Sequence, residues 1–491
     1  MLALGVDVGT STTKAALVLL DGDRVRELAV ASAPTPGTGP ELVATALRTA
    51  RDAVGDRGRD VVAVGVASMA ETGLPLDAGN RPLTPLLRWD EGLGAEDASR
   101  MRDLAPDLFV ATGVRLSAKT PLATWAWLRR TRPEVWSRTA CWLGAADLLV
   151  HALTGSRATD HTLAGRTGGA RLPGPGEPVR FDDEILGVVG MRPDRLPLVV
   201  DPREVAGSLG SDVARDLGLP AGVPVVVAGH DHQVAAWAAG VRRPHQVADS
   251  LGTAEAVLTV LPQRPAEPAR VRADGMSLVR TVAGDHDAVV AGSSSAGAML
   301  RAWLDTLDPE QQADVLARAA REDAAPTGAA VLPYLRGRQT PAPDPDAVAG
   351  APPAGWPPHR QARAVVEGVC YQARWMITTQ TPRPREVTVV AGDRLPRLWT
   401  DLKSATLPWP LATVTAAEPV AGGAALLALV RAGALGPAAQ ALHDAPTLPR
   451  AHRPALDSDP HGPAVVDFVA RATAGRADLP GADRPSSAGL P

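Results

Sequence analysis

Residues 2–20, LALGVDVGTSTTKAALVLL, are two apolar runs joined by a Gly-Thr-Ser-Thr-Thr cluster, and DGDR (Asp21 to Arg24) turns the chain into a third run, VRELAVAS. Such runs joined by glycine and hydroxyl clusters predict an antiparallel meander. A helical stretch at about 40–54 leads to another strand, DVVAVGVAS. In the middle, TWAWLRRTRPEVW (Thr124 to Trp136) and ACWLGAADLLVHALTG (Ala140 to Gly155) carry apolar residues three and four apart. That period predicts helices, the second ending at Gly155 as its C-cap. Residues 170–205 read as Pro-rich loop with short elements. VPVVVAG (Val223 to Gly229) then reads as a buried strand delivering its end to GHDHQVAAWAAG.

HQVADSLGTAEAVLTVL (His245 to Leu261) repeats the opening grammar of acidic residue, Gly-Thr, small polar residues and apolar run. The natural reading of this weak repeat is a duplicated domain with a hinge near 240–246, although Gly-Thr turns between strands are common enough to recur by chance. The second half continues with a strand AVVAGSSSAG, a helix MLRAWLDTL and a loop VLPYLRGRQTPAPDPDA. A long helix ARAVVEGVCYQARWMI, a strand VTVVAGD and a helix GGAALLALVRAG follow. From about Gly475 the run GRADLPGADRPSSAGLP is too polar to pack and is expected to be a disordered tail.

At roughly 150 residues per domain, the 491 residues allow two to four domains. Hydrophobic residues at 45% and charged residues at 21% are globular values. Lys+Arg at 50 against Asp+Glu at 54 leaves −4, with no basic excess to hold nucleic acid or an anionic membrane. Only three of the cations are lysines (Lys14, Lys119, Lys403). Cys141 and Cys370 are too few for a disulfide framework or a four-thiolate metal site. The opening residues lack a cationic start and place Asp7 inside any apolar secretory core. The most lipid-like stretch, Val420 to Val430, stops at Arg431, far short of the ~20 residues a bilayer needs. A soluble cytoplasmic protein is the expectation, and a homodimer stays open.

Two places carry candidate chemistry. Gly9, Thr10, Ser11 and Thr12 offer the backbone N–H groups and hydroxyls that cradle a phosphate. Asp7 is a hard oxygen donor for a hydrated Mg²⁺, and Lys14 adds a point charge. The same string also reads as a plain tight turn. A second turn at Gly252 and Thr253 would let two loops clamp a polyphosphate from both sides. Asp231 follows a strand and precedes a helix, where a carboxylate can take a proton from an attacking hydroxyl. It also reads as a helix cap. His230 and His232 flank it, but neighbours in extended chain point to opposite sides, which argues against convergence on one ion.

Taken together, GVDVGTSTTKAAL, LRWDE (Leu87 to Glu91), LTGSRATD (Leu153 to Asp160), AGHDHQVAAWAAG, DSLGTAEAV, LPYLRGRQTPAPDPDA, VVEGVCYQAR and EPVAGGAALLALVRAG resemble the FGGY family of carbohydrate kinases in order and spacing, over about residues 2–470. The resemblance implies an α/β fold of two actin-like, ribonuclease-H-like ATPase domains flanking a catalytic cleft. The expected division is 1–243 for the sugar, first phosphate motif and catalytic Asp, 244–474 for the nucleotide, and 475–491 for the tail. It implies Mg²⁺ and ATP, with a small sugar, ketose or polyol as acceptor.

On this resemblance Asp231 is the base and, with Asp7, a metal contact. Thr10, Ser11, Thr12 and Lys14 face the phosphates from one side, and Gly252, Thr253 and Gly297 from the other. Gly392 and Asp393 lie at the adenosine end, where the segment AGDRLPRLW departs from the family's glycines. Glu71, Trp89, Asp90, Lys119 and Gln233 are the expected substrate contacts. Ala70 stands where the family's glycerol kinases have the Arg of an Arg-Glu pair, and Lys119 suits an anionic group such as a sugar acid. Two rival readings are a non-catalytic sugar or nucleotide sensor on the same scaffold and an actin-like chaperone or filament ATPase.

Overall fold

The protein is described here by a computed structural model covering residues 1–105, 107–323, 325–329, 331–381, 383–392 and 396–474. The expected tail and Asp393 lie outside the described residues. The opening meander forms as β1 (Leu2–Val8), β2 (Thr12–Asp21) and β3 (Arg24–Pro34). β1 is buried at every position after Leu2, as a strand covered on both faces must be. Pairing of Asp7 with Lys14 and Val8 with Thr13 closes the hairpin directly beneath the Gly-Thr-Ser turn.

The helix α1 (Gly39–Val54) has Pro and Glu41 in its first turn and Arg51 in its last. Both charges suit the helix dipole, and the Pro fills a position with no N–H to lose. It returns the chain to β4 (Val61–Ser68), parallel to β1. Pro224–His230 adds a further parallel strand beside β4, and the sheet runs 207–208, 224–230, β4, β1, β2, β3.

The second sheet repeats this plan. Gln246–Leu251 pairs antiparallel with Glu255–Val260, which pairs antiparallel with Asp287–Ser293. On its other side Gln246–Leu251 runs parallel to Glu386–Val390, and that strand parallel to Leu411–Val414. Each sheet is thus an antiparallel meander with parallel strands added next to its first strand. The two Gly-Thr turns occupy equivalent hairpin ends, which is the structural content of the sequence repeat.

Two local expectations fail. Cys141–Gly144 is a strand, paired antiparallel with Gly73–Leu76, and the helix begins only at Ala145. An apolar run that short fits either period, and the Asp147 carboxylate, accepting from the Gly144 N–H at 2.9 Å, fixes the helix start. The helix expected over 124–136 is two, Pro121–Thr131 and Pro133–Arg138, broken where Pro133 cannot continue the ladder.

The helix Pro419–Arg431 is buried on every face from Ala421 onward, and it comes from the later half of the chain yet packs against β1, β4 and Pro224–His230 of the first sheet. Its Ala-Gly-Gly-Ala-Ala start permits this closeness. A Cβ on Gly5 would sit 1.8 Å from the Ala421 carbonyl oxygen, and one on Gly65 would sit 2.0 Å from that of Ala424. This crossing helix also packs on Asp231–Ala238, so the core of the first sheet is completed by residues some 190 positions further along.

Candidate active site

Asp231 is the first residue of the helix Asp231–Ala238, directly after the strand Pro224–His230. A carboxylate there is favoured by the helix dipole. Its Oδ1 accepts from the His232 backbone N–H at 2.6 Å and lies 3.1 Å from His230 Nε2. The strand end is held by the RATD segment. The Thr162 hydroxyl donates to Asp160 at 2.6 Å and accepts from the His230 N–H at 2.9 Å. Gly229, at φ 126°, lets the backbone pass against these groups, since a Cβ would meet Thr162 Oγ1 at 2.4 Å. Arg431, the last residue of the crossing helix, reaches Asp160 at 3.1 Å and donates to the Val227 carbonyl at 2.6 Å. Arg431 and His161 hold the Asp160 carboxyl below its ordinary range against the opposing cost of burial.

Asp7 is buried at the end of β1, and its Oδ1 has no hydrogen-bond partner among the described residues. Burial, and next the charge of Asp231, push its carboxyl well above the ordinary value, with Lys14 opposing. Two interacting carboxylates, one with an orphaned buried oxygen, fit a hard divalent cation.

The Trp89 indole N–H donates to Thr10 Oγ1 at 2.9 Å, tying the first phosphate turn to the LRWDE segment. Lys119 Nζ stands 6.0 Å from the Trp89 ring centre. Burial lowers the Lys119 ammonium, Glu71 opposing, while Arg166 and Arg115 add to the lowering. Glu71 takes φ 61°, a left-handed conformation costly for a residue with a side chain. Arg166 holds it there, with Nε and Nη2 donating to Oε1 at 2.9 and 2.6 Å. Lys119 and Arg166 are both near enough to depress His230, which burial chiefly lowers to about 3. Trp89, Lys119, Glu71 and Arg166 are thus neighbours, and the two cations lie within electrostatic reach of His230, next to Asp231.

The second turn packs on a helix. The Gly297 N–H donates to the Gly252 carbonyl, and that of Ala298 to the Thr253 carbonyl, each at 3.0 Å. Gly252, Gly297, Gly392 and Lys14 line one cavity of about 340 Å³, together with Ala391, Trp399 and Glu418. Lys14 pairs with Glu418 at 2.6 Å across the two halves of the molecule. Beneath the turn, fully buried Lys403 donates to Asp249 at 2.6 Å and Glu255 at 2.5 Å, pinning both hairpin strands to the helix Arg397–Thr406.

Gln233 and Asp90, the other expected substrate contacts, are differently placed. Gln233 is 2% exposed and, two residues along the helix from Asp231, points away from it to line small cavities beside Arg280 and Thr281. Asp90 is engaged by the Arg88 guanidinium at 3.1 Å, which lowers its carboxyl. The expected divergence of His230 and His232 also fails. The chain changes from strand to helix between them, and their ring nitrogens and an Asp231 oxygen lie within 4.8 Å of one another. Arg166 was not foreseen, because it pairs with Glu71 across 95 positions and sits in no recognisable motif. An unpaired Glu71 beside Ala70 was the available signal.

Family models for the FGGY family of carbohydrate kinases match the chain, the N-terminal domain over residues 2–238 and the C-terminal domain over 247–432. A gluconokinase of Bacillus subtilis is 24% identical over 395 residues, spanning 75% of this chain and 74% of its own. A xylulose kinase of Escherichia coli is 28% identical over 421 residues, spanning 81% and 83%. The ligand-bound xylulose kinase structure from Lactobacillus acidophilus superposes with a TM-score of 0.82 at 19% identity, covering 96% of this chain and 98% of that one, a likeness of fold. The fold is the two-domain actin-like ATPase fold. With both family models matched in order, over residues 2–238 and 247–432, the chain is an enzyme of the FGGY family of carbohydrate kinases.

Proposed function

We propose that the protein transfers the terminal phosphoryl group of ATP to a hydroxyl, expected to be primary, of a small sugar, ketose or polyol, with Asp231 as general base. The observation that carries this reading is that Asp231 lies within electrostatic reach of the buried Asp7 beside the opening turn, to which Trp89 is hydrogen-bonded through Thr10, with Lys119 over the Trp89 ring. Asp231 Oδ1 is taken up by the His232 N–H, and Oδ2 makes no hydrogen bond among the described residues. Oδ2 accepts the hydroxyl proton as the sugar oxygen attacks phosphorus. Glu71 accepts from a sugar hydroxyl while Arg166 keeps its carboxylate oriented. Trp89 offers an apolar face to C–H groups.

Thr10, Ser11, Thr12 and Lys14 approach the phosphates from the first sheet, and Gly252, Thr253 and Gly297 from the second. Gly392 lies at the adenosine end of the same cavity. Asp7 and Asp231 would hold Mg²⁺, whose chemistry is to neutralise phosphate oxygens as charge shifts during transfer. The rest of the catalysis is positioning.

The ammonium of Lys119, beside the Trp89 ring, favours a second form of the reading, in which the acceptor carries a carboxylate, as an aldonate does. Asp231→Asn tests the core of the proposal. It should fold normally and lose ~10²–10⁴ in kcat, the usual worth of general-base help. Near-normal turnover in a coupled ADP assay would refute it.

A further inference from the structure

We propose that His230, Asp231 and His232 form a binding site for a borderline divalent transition ion such as Zn²⁺ or Co²⁺, distinct in chemistry from the oxygen-ligated Mg²⁺ of phosphoryl transfer. One ligand atom from each residue lies within 4.8 Å of the other two. His230 Nε2 and His232 Nε2 stand 3.1 and 3.9 Å from Asp231 Oδ1. Tetrahedral bonds of about 2.0 Å place donors roughly 3.3 Å apart, so small side-chain rotations close the set.

Two imidazoles and a carboxylate, with a fourth position for water, are a donor set of the zinc type. Ser250 orients one of the imidazoles. His232 Nδ1 is 3.0 Å from Ser250 Oγ, and donation through Nδ1 leaves the Nε2 lone pair facing Asp231. That is the usual way a ligating imidazole is oriented. The rings of His230 and His232 meet edge to face at 5.4 Å and already face one side.

Ion binding at these three side chains needs nothing of the proposed mechanism. Its consequence does: an ion on Oδ1 draws negative charge from the whole Asp231 carboxylate and weakens Oδ2 as a base, so an enzyme using Asp231 as base is inhibited by Zn²⁺ or Co²⁺ and recovered by a chelator.

The test titrates the full chain with Co²⁺, without nucleotide and in excess Mg²⁺, and follows the visible absorption of tetrahedral Co²⁺. One equivalent is expected, displaced by Zn²⁺ and untouched by Mg²⁺. His232 is partly exposed, so His232→Ala should fold and lose the band. Ser250→Ala should bind about 10-fold more weakly, as loss of an outer-shell partner does. His452→Ala, at an exposed histidine elsewhere, should bind like the parent chain. No band, or a band that survives in folded His232→Ala, overturns the site. Binding that disappears in His232→Ala but leaves kinase activity intact when occupied upholds the site and overturns Asp231 as the base.

Discussion

At the scale of single residues, the proposed sugar site depends on a pairing made at long range. Arg166 is buried and Glu71 partly so, and removing the guanidinium leaves a carboxylate without its partner in a strained backbone. Arg166→Ala should therefore lower kcat/KM for the sugar by about 10-fold or more, at 1.4 kcal/mol per decade, and leave KM for ATP unchanged. Steady-state kinetics with each substrate varied checks this. Lys119→Ala should reduce turnover of aldonates more than of neutral ketoses, and equal losses on both would remove the sugar-acid reading.

Asp147 makes a separate prediction about pH. Burial pushes its carboxyl from 3.8 to about 6. A raised folded value means that the stability this group contributes is complete below 3.8 and is lost as pH rises through about 6. Asp147→Asn is neutral throughout. Urea unfolding should show the variant gaining on the parent by up to about 1.4 kcal/mol per pH unit over that window, with a level difference above it. A difference that stays constant from pH 4 to 7 would show that the group does not titrate this way.

At the scale of elements, the crossing helix leaves no room for added volume where it meets β1 and β4. Gly65→Ala drives a methyl into the Ala424 carbonyl, and helix and sheet must separate to admit it. It should cost about 1–3 kcal/mol, the range of overpacked cores, seen as a lower urea midpoint. Gly37→Ala, whose Cβ meets nothing within 4 Å, is the control and should leave the midpoint unmoved. The hairpins, the crossing helix and the strand before Asp231 were legible in the sequence, because long runs with one period and glycine punctuation leave little choice. Cys141–Gly144 was not, since four apolar residues cannot show a period, and its partner strand Gly73–Leu76 lies far off in sequence. Pro133 was visible in the sequence, but the apolar spacing runs straight across it.

At the scale of the whole molecule, the order of motifs gave the family, and the two sheets bear out the duplicated plan. Motif order cannot report what crosses between halves. Glu418 reaching Lys14, Arg431 reaching Asp160, and His232 touching Ser250 join the earlier and later parts of the chain, the first two across hundreds of positions. Gln233 shows the same blindness on a small scale, since its side of the helix is decided by what packs behind it. Among the described residues no helix is long and apolar enough to cross a membrane.

The crossing helix also sets a schedule for biosynthesis. The first sheet is made by residue 230, yet the element that covers β1 and β4 ends at Arg431. At 5–20 residues per second a ribosome needs roughly 10–40 s to supply it. During that interval the nascent first half presents a bare apolar sheet face to the cell, a natural client for chaperones and a poor candidate for expression as a fragment.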